Sequence, residues 1–312
     1  MKDISITHAS LIDDTDLRSQ VADLINEVTA HTGISPLSEQ FVLGLDDPRL
    51  RHQHLVAHVD GELIGAIAID EAPDVPVAEV VVRGEGRREA QALVGSVQQR
   101  PVDVWAHGPS PVADLPDADK VRELLVMSLQ ERIESLPVPA GYEILTLAQS
   151  RERWGSWVDE EFLRVNNEAF SWHPEQGGWD LTRWARAQEA VWFDPEGVFL
   201  LWGTPIDVSE KPIVEKTMTL MGFHWTKCAR SHLVNTGENV GEVYVVGLAD
   251  AARGRGLGGF LTVTGVAHLQ DSGCDQVILY VEADNVPAVS VYEKLGFAVT
   301  ERHVLYRFSH KD

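Results

Sequence analysis

Cysteine is scarce in this chain: Cys228 and Cys274 are the only two among 312 residues. Two thiols cannot staple a fold of this size, and their spacing is neither a CxxC redox pair nor a zinc pattern. A disulfide scaffold is therefore excluded, and both read as buried or idle thiols. The histidines read as showing neither HxH nor HExxH spacing, so no metal is expected. Basic residues are also few, 26 Lys and Arg against 48 Asp and Glu, for a formal net charge of -22. That is the wrong sign for following a phosphate backbone, so nucleic acid is not an expected partner. It does not exclude a small anionic ligand, because a local nest of N–H groups and arginines outweighs the distant field at short range. Missing too is any apolar run near the roughly 18–20 residues that cross a bilayer. The opening Met1-Lys2-Asp3-Ile4-Ser5 has no basic-then-apolar profile, so a cytoplasmic protein with no membrane partner is expected.

What remains is ordinary globular composition, 44% hydrophobic and 24% charged. At this length a single core rarely keeps growing, so two linked cores are expected. Asp14 to His31 carries Leu17, Val21, Leu24, Ile25 and Val28 at helical spacing. His54 to Ile69 alternates around Asp60-Gly61, a hairpin dipeptide, and Ala78 to Val82 is a further strand-like run. Helical Glu89 to Val97 and strand-like Val102 to Ala106 follow. Val121 to Ile133 reads as a helix, broken by the proline-bearing Leu136 to Gly141, where the domain boundary is placed.

Beyond it, Phe162 to Phe170 and Leu181 to Ala190 read as helices, and Val198 to Trp202 and Lys216 to Trp225 as strands. Next come strand Glu242 to Leu248, a glycine-rich turn, helix Phe260 to Asp271, strand Gln276 to Val281, helix Val286 to Leu295 and strand His303 to Phe308. The order of elements repeats at about 166 residues, which suggests two copies of one α/β unit, 1–138 and 139–312.

The sharpest local feature is the strand ending Val246-Gly247-Leu248, followed by Ala249 to Ala252 and then Arg253-Gly254-Arg255-Gly256-Leu257-Gly258-Gly259 opening an apolar helix. Unpaired N–H groups at a helix start carry the positive end of the dipole, and glycines let a pyrophosphate approach without meeting Cβ atoms. Gly254-x-Gly256-x-x-Gly259 also fits a dinucleotide fingerprint, but that turn should follow its strand directly, and Ala249 to Ala252 intervene. No Gly-Lys-Ser or Gly-Lys-Thr ending is present, which excludes a P-loop here. A surface turn with no ligand remains the alternative.

Arg253-x-x-Gly256-x-Gly258 after an apolar strand resembles the acetyl-CoA pyrophosphate loop of the GNAT acetyltransferases. Asn285-Val286-Pro287-Ala288-Val289-Ser290 and the following Val291 to Phe297 resemble their second signature. Val165 to Phe170, His173 to Trp179, Trp192 to Pro195, Gly222 to Lys227 and Gly241 to Val245 narrow the resemblance to the tandem GNAT proteins of mycothiol biosynthesis. The resemblance implies an α/β fold of two tandem GNAT (acyl-CoA N-acyltransferase) domains, each a mixed, largely antiparallel sheet flanked by helices. It implies acetyl transfer from acetyl-CoA, the co-substrate, to the cysteinyl amine of desacetylmycothiol, a small-molecule thiol precursor. A monomer is expected.

Carried onto this chain, the resemblance implies that Val246, Gly247 and Leu248, on a strand splayed from its neighbour, the loop Arg253 to Gly259, and Asn285 to Ser290 hold the cofactor. It makes Glu242 the general base, directly or through water, Tyr292 the general acid, and the Leu248 N–H an oxyanion donor. The bland alternatives are a solvated strand-end acid at Glu242 and a packed aromatic at Tyr292. For the acceptor it points to Glu39, Glu175, Lys227, Glu242 and Tyr280; His173 and Trp179 read equally as packing residues. Val80, Val81 and Val82 mark a possible second cofactor site. The loop after them, Arg83 to Ala92, has Ala90 and Ala92 where helix-mouth glycines would stand and Glu89 to repel phosphate, so the first half is expected to be mainly structural. Another small amine as acceptor, and a non-catalytic acetyl-CoA-binding regulator, are the competing functions.

Overall fold

The computed structural model describes residues 3–172, 176–204, 218–229 and 239–309. Contacts divide the chain into two compact units: one of residues up to 125 with 282–284 and from 301 on, the other of 126–281 with 285–300.

The first unit contains β1 (Ser5–Ala9), α1 (Thr15–Thr32), α2 (Glu39–Leu43), β2 (Gln53–Val59), β3 (Glu62–Asp70), β4 (Val77–Val82), α3 (Arg87–Val97), β5 (Val102–His107) and most of β6 (Ala118–Leu129). Asp14 caps α1 by accepting the Leu17 N–H, Gly33 closes it in the left-handed region, and Val21, Leu24 and Ile25 form its buried stripe. The Asp60-Gly61 turn takes φ of 51° and 84°, as a tight hairpin of that dipeptide requires. β1 to β4 are antiparallel neighbours, and β5 joins β4 in parallel.

The second unit contains β7 (Tyr142–Thr146), α4 (Leu147–Trp154), α5 (Trp157–Ala169), α6 (Leu181–Ala187), β8 (Val198–Gly203), β9 (Thr219–Ala229), β10 (Val240–Leu248), α7 (Leu257–Asp271), β11 (Gln276–Glu282), α8 (Val286–Lys294) and the start of β12 (Ala298–Phe308). The pairing repeats that of the first unit: β7 to β10 antiparallel, then β11 parallel to β10. Its core packs Phe162, Trp184, Trp202, Phe223 and Trp225 between α5, α6 and the sheet.

Two segments pack outside the half in which they lie. The end of β12 pairs antiparallel with β5 from His303↔His107 to Phe308↔Val102, and Phe308 joins the core of the first unit. The end of β6, from Val126, belongs to the second unit. Residues Val121 to Ile133, expected as a helix, hold this strand instead. The continuous run Leu124-Leu125-Val126-Met127 carries no decisive period, and Leu125, Val126 and Met127 are buried in succession, the signature of a strand covered on both faces. Strands β1 and β7 and helices α2 and α4 have no counterpart in the sequence reading.

Candidate active site

β10 pairs with β9 along its whole length, from Val240↔Ala229 to Leu248↔Gly222. Its parallel pairing with β11 stops at Val243↔Leu279, although β11 continues to Glu282. The segment Val246, Gly247 and Leu248 therefore lies past the end of the pairing with β11 among the described residues. Backbone groups freed in this way need other partners, which a ligand can supply. The opening coincides with a bulge between Val243 and Val245. The bulge inverts the parity of the strand: a Cβ at Gly241 would meet Cys274 and Leu269 beside α7, whereas one at Gly247 would meet Phe223 and Ala169 beside α5.

The chain leaves β10 through a short 3₁₀ turn, Asp250–Ala252, which absorbs the residues that spoiled the dinucleotide fingerprint. Gly254 and Gly256 have φ of 73° and 75°, and a Cβ built on either would meet nothing within 4 Å. Gly256 is the N-cap of α7 and no side chain caps that helix, so its first-turn N–H groups open onto free space. A Cβ at Gly258 would lie 3.6 Å from Leu248 Cδ1 and one at Gly259 3.8 Å from Val291 Cγ1. The end of β10, the mouth of α7 with Leu257 at its first position, and α8 thus converge. Arg253 and Arg255 are exposed beside this mouth; Arg253 Nη1 lies 2.9 Å from Asp250 Oδ1.

On α8, Asn285 Oδ1 accepts the Ala288 N–H at 3.3 Å, so this side chain caps the helix, with Pro287 in the first turn. Val286 is exposed, and Ala288, Val289 and Ser290 are half-buried. Tyr292 packs edge-on to Phe297, and burial raises its phenol pKa, which keeps the hydroxyl protonated and able to donate.

Lys227 and Glu242 are register partners on β9 and β10, with Nζ and Oε2 3.6 Å apart. Glu242 also faces Ile278 in the parallel pairing, so Tyr280, two residues further on β11 and exposed, shares its face. Sequence reasoning assigned no site role to Trp192 or Tyr244. Their rings meet at 4.8 Å and both lie against the lysine, with Nζ 4.9 Å from the Trp192 centroid and 5.6 Å from that of Tyr244.

Glu175, with His173, lies outside the described residues. Glu39 opens α2 in the first unit, beside Ser38, whose N–H donates to buried Glu79 at 2.6 Å. The Trp179 backbone exchanges two 2.8 Å hydrogen bonds with the Asn167 side chain, and its half-buried ring packs against the core of the second unit.

The first unit repeats the strand opening. β4 pairs with β5 only from Val77↔Asp103 to Glu79↔Trp105, leaving Val80, Val81 and Val82 beyond it. The helix mouth differs. α3 starts at Arg87 after a loop of four residues, and a Cβ at its N-cap, Gly86, would lie 2.6 Å from Val82 Cγ2. Ala90 does not crowd that mouth as the sequence suggested; it lies one turn into α3, in the core.

Contrary to the sequence reading, His52-Gln53-His54 has an HxH spacing, but both imidazoles are buried and desolvation lowers both pKa values, that of His54 to about 4. Among the described residues no group of three or more His, Cys, Asp or Glu is arranged to hold a metal ion. Cys228 and Cys274 lie 3.3 Å apart at sulfur, and burial pushes the Cys274 thiol up to about 12. No described helix is long and apolar enough to cross a membrane.

Comparison with known proteins places this geometry. The Acetyltransferase (GNAT) family profile matches residues 160–297. Among solved structures, a GCN5-related N-acetyltransferase from Sphaerobacter thermophilus superposes with a TM-score of 0.68 at 19% identity, covering 99% of this chain and 96% of that one. A tandem GNAT protein from the clavulanic acid biosynthesis pathway gives 0.66 at 17%, covering 99% of each. The fold is therefore that of a tandem GNAT protein. Among curated proteins, the mycothiol acetyltransferase of Corynebacterium aurimucosum is 45% identical, over 93% of this chain and 95% of its own. That of Mycolicibacterium vanbaalenii is 41% identical, over 93% and 94%. With an open strand edge, an uncapped glycine-lined helix mouth and this degree of identity along nearly its whole length, the chain belongs to the mycothiol acetyltransferase family of GNAT acetyltransferases.

Proposed function

We propose that this chain transfers the acetyl group of acetyl-CoA to the cysteinyl α-amine of desacetylmycothiol (Cys-GlcN-Ins), releasing mycothiol and CoA, by direct attack with both substrates bound. The observation that carries this reading is the edge Val246 to Leu248, past the end of the pairing with β11, leading straight into the open mouth of α7. The edge offers backbone donors to an extended pantetheine arm, and the mouth offers N–H groups and the exposed Arg253 and Arg255 to its diphosphate. Val286 to Ser290 flank the arm, while Asn285 holds the start of their helix.

An α-amine with a reference pKa of about 7.7–8.0 is neutral in roughly a tenth of molecules near pH 7, so the base has a modest task. Glu242, 3.6 Å from the Lys227 ammonium, receives the proton directly or through a water. The Leu248 N–H donates to the oxygen that gains charge as the carbonyl becomes tetrahedral. Tyr292 protonates the leaving thiolate. Lys227, Tyr280 and Glu175 complete the acceptor site. The first unit keeps the strand opening at Val80 to Val82, but Gly86 at the start of α3 lies close against Val82 and Glu89 stands in the first turn of that helix, so its role is structural, with weak or absent cofactor binding. The protein acts as a monomer in the cytoplasm.

Steady-state CoA release with the Cys-GlcN-Ins conjugate beside an aminoglycoside, a polyamine and a peptide amine tests the acceptor. The conjugate should be strongly preferred; comparable rates for all four would defeat the assignment. Glu242→Gln should lower kcat about 10²–10³-fold with little change in the KM for acetyl-CoA, and an unchanged kcat would remove Glu242 from the base role.

A further inference from the structure

The Lys227 ammonium that faces the Glu242 carboxylate stands among aromatic rings. Tyr244 follows Glu242 by two residues on β10, at the bulge, and is 37% exposed. Trp192, half-buried in the segment before β8, packs edge-on to Tyr244 at an interplanar angle of 65° and also touches Trp225 behind it. Tyr280, on the neighbouring strand, is 45% exposed on the same face. The Lys227 ammonium lies over the Trp192 and Tyr244 rings while its charge faces Glu242, an arrangement that fixes both the cation and the tilt of the rings.

Tyrosine and tryptophan pair a large apolar face with a polar tip, which suits a ligand that is itself wet on its rim and apolar on its faces. A pyranose or cyclitol ring has that character: hydroxyls project around its edge, and its axial C–H bonds make two apolar faces. A linear amine presents no such face.

We infer that Trp192 and Tyr244 are specificity-determining residues of the acceptor site, forming a wall against which a hydroxylated six-membered ring of the acceptor packs while its amine is held at Glu242. The inference rests on the proposed acceptor class and deepens it. The wall discriminates by ring contact; Lys227, held over the same aromatics, supplies the charged hydrogen-bond donor for hydroxyls at the ring edge. A ring seated there also limits how far the amine can swing from the carboxylate, so the wall raises selectivity for conjugates over free cysteine derivatives.

The test compares Cys-GlcN-Ins with cysteine amide, which carries the same amine without a sugar, in the full-length protein. Trp192→Leu and Tyr244→Ala should each raise the KM for the conjugate about tenfold, move the KM for acetyl-CoA far less, and lower the preference for the conjugate over cysteine amide about tenfold. Trp192→Phe and Tyr244→Phe, which keep an aromatic face, should restore most of that preference, and thermal melts identify any variant that has lost its fold. Equal losses for both acceptors in the folded variants, or an undisturbed KM for the conjugate, overturn the wall. If the wild type shows no preference for the conjugate over cysteine amide, the acceptor class itself fails, and the wall with it. A wild-type preference that survives in the leucine and alanine variants rejects only the wall.

Discussion

His224 has none of its surface exposed, and its Nδ1–H is donated to the Leu261 carbonyl at 2.7 Å. Desolvation lowers its pKa from 6.5 to about 4. As pH falls through about 6.5 the unfolded chain takes up a proton that the native protein refuses until about 4, so stability is full above that window and declines through it. The gap is worth about 3 kcal/mol. His54, also lowered to about 4, adds a loss of the same sign. Urea denaturation at pH 7 and at pH 4.5 should show a marked drop for the wild type and a smaller one for His224→Gln; equal drops would mean that His224 is not the group that resists protonation. Single residues were unevenly legible. Lys227, Glu242 and Tyr280 were singled out through the family resemblance, the first two within matching motifs, and the structure brings the three onto one face. Trp192 and Tyr244 escaped because an aromatic in an apolar stretch reads as core until its neighbours are known.

Helix α7 contains glycines of two kinds at its mouth and in its body. Gly256 adopts a φ of 75° in open space, whereas a Cβ at Gly265 would lie 2.2 Å from the His224 ring. Gly256→Ala should therefore cost about 1–2 kcal/mol, the left-handed penalty alone, and Gly265→Ala about 3 kcal/mol, because the buried ring has nowhere to go. Chemical denaturation of the two variants checks the ranking; a Gly256→Ala loss as large as that of Gly265→Ala would contradict it. The glycine run 253–259 was visible in sequence because its φ demands are local. The strand opening was expected at Val246 to Leu248 from the GNAT resemblance alone and not from periodicity. Where pairing between β10 and β11 ceases depends on register, and Gln276 to Glu282 alternates as regularly beyond Leu279 as before it. The misread β6 failed for a related reason, since burial on both faces erases the period that distinguishes strand from helix.

Across the whole chain, the sequence showed the repetition of element order but not how the segments are shared. The first unit needs residues near the C-terminus: β12 covers the edge of β5, Arg307 grips Asp103 through two 2.7 Å hydrogen bonds, and Phe308 is 1% exposed in that core. A fragment of residues 1–138, the division suggested by the proline-bearing stretch, leaves that strand edge bare and invites association. Expressed alone it should aggregate or melt without cooperativity, and a monomeric fragment with a sharp transition would show β12 to be dispensable. The opening between parallel strands occurs in both units, whereas the turns beside them differ: a Cβ at the N-cap of α3, Gly86, would meet Val82, and one at the N-cap of α7, Gly256, would meet nothing. A gap set by hydrogen-bond register survives the loss of the glycine-lined turn beside it, so gain or loss of nucleotide recognition in such a duplicated scaffold can be confined to a few loop positions while the sheet itself is inherited unchanged.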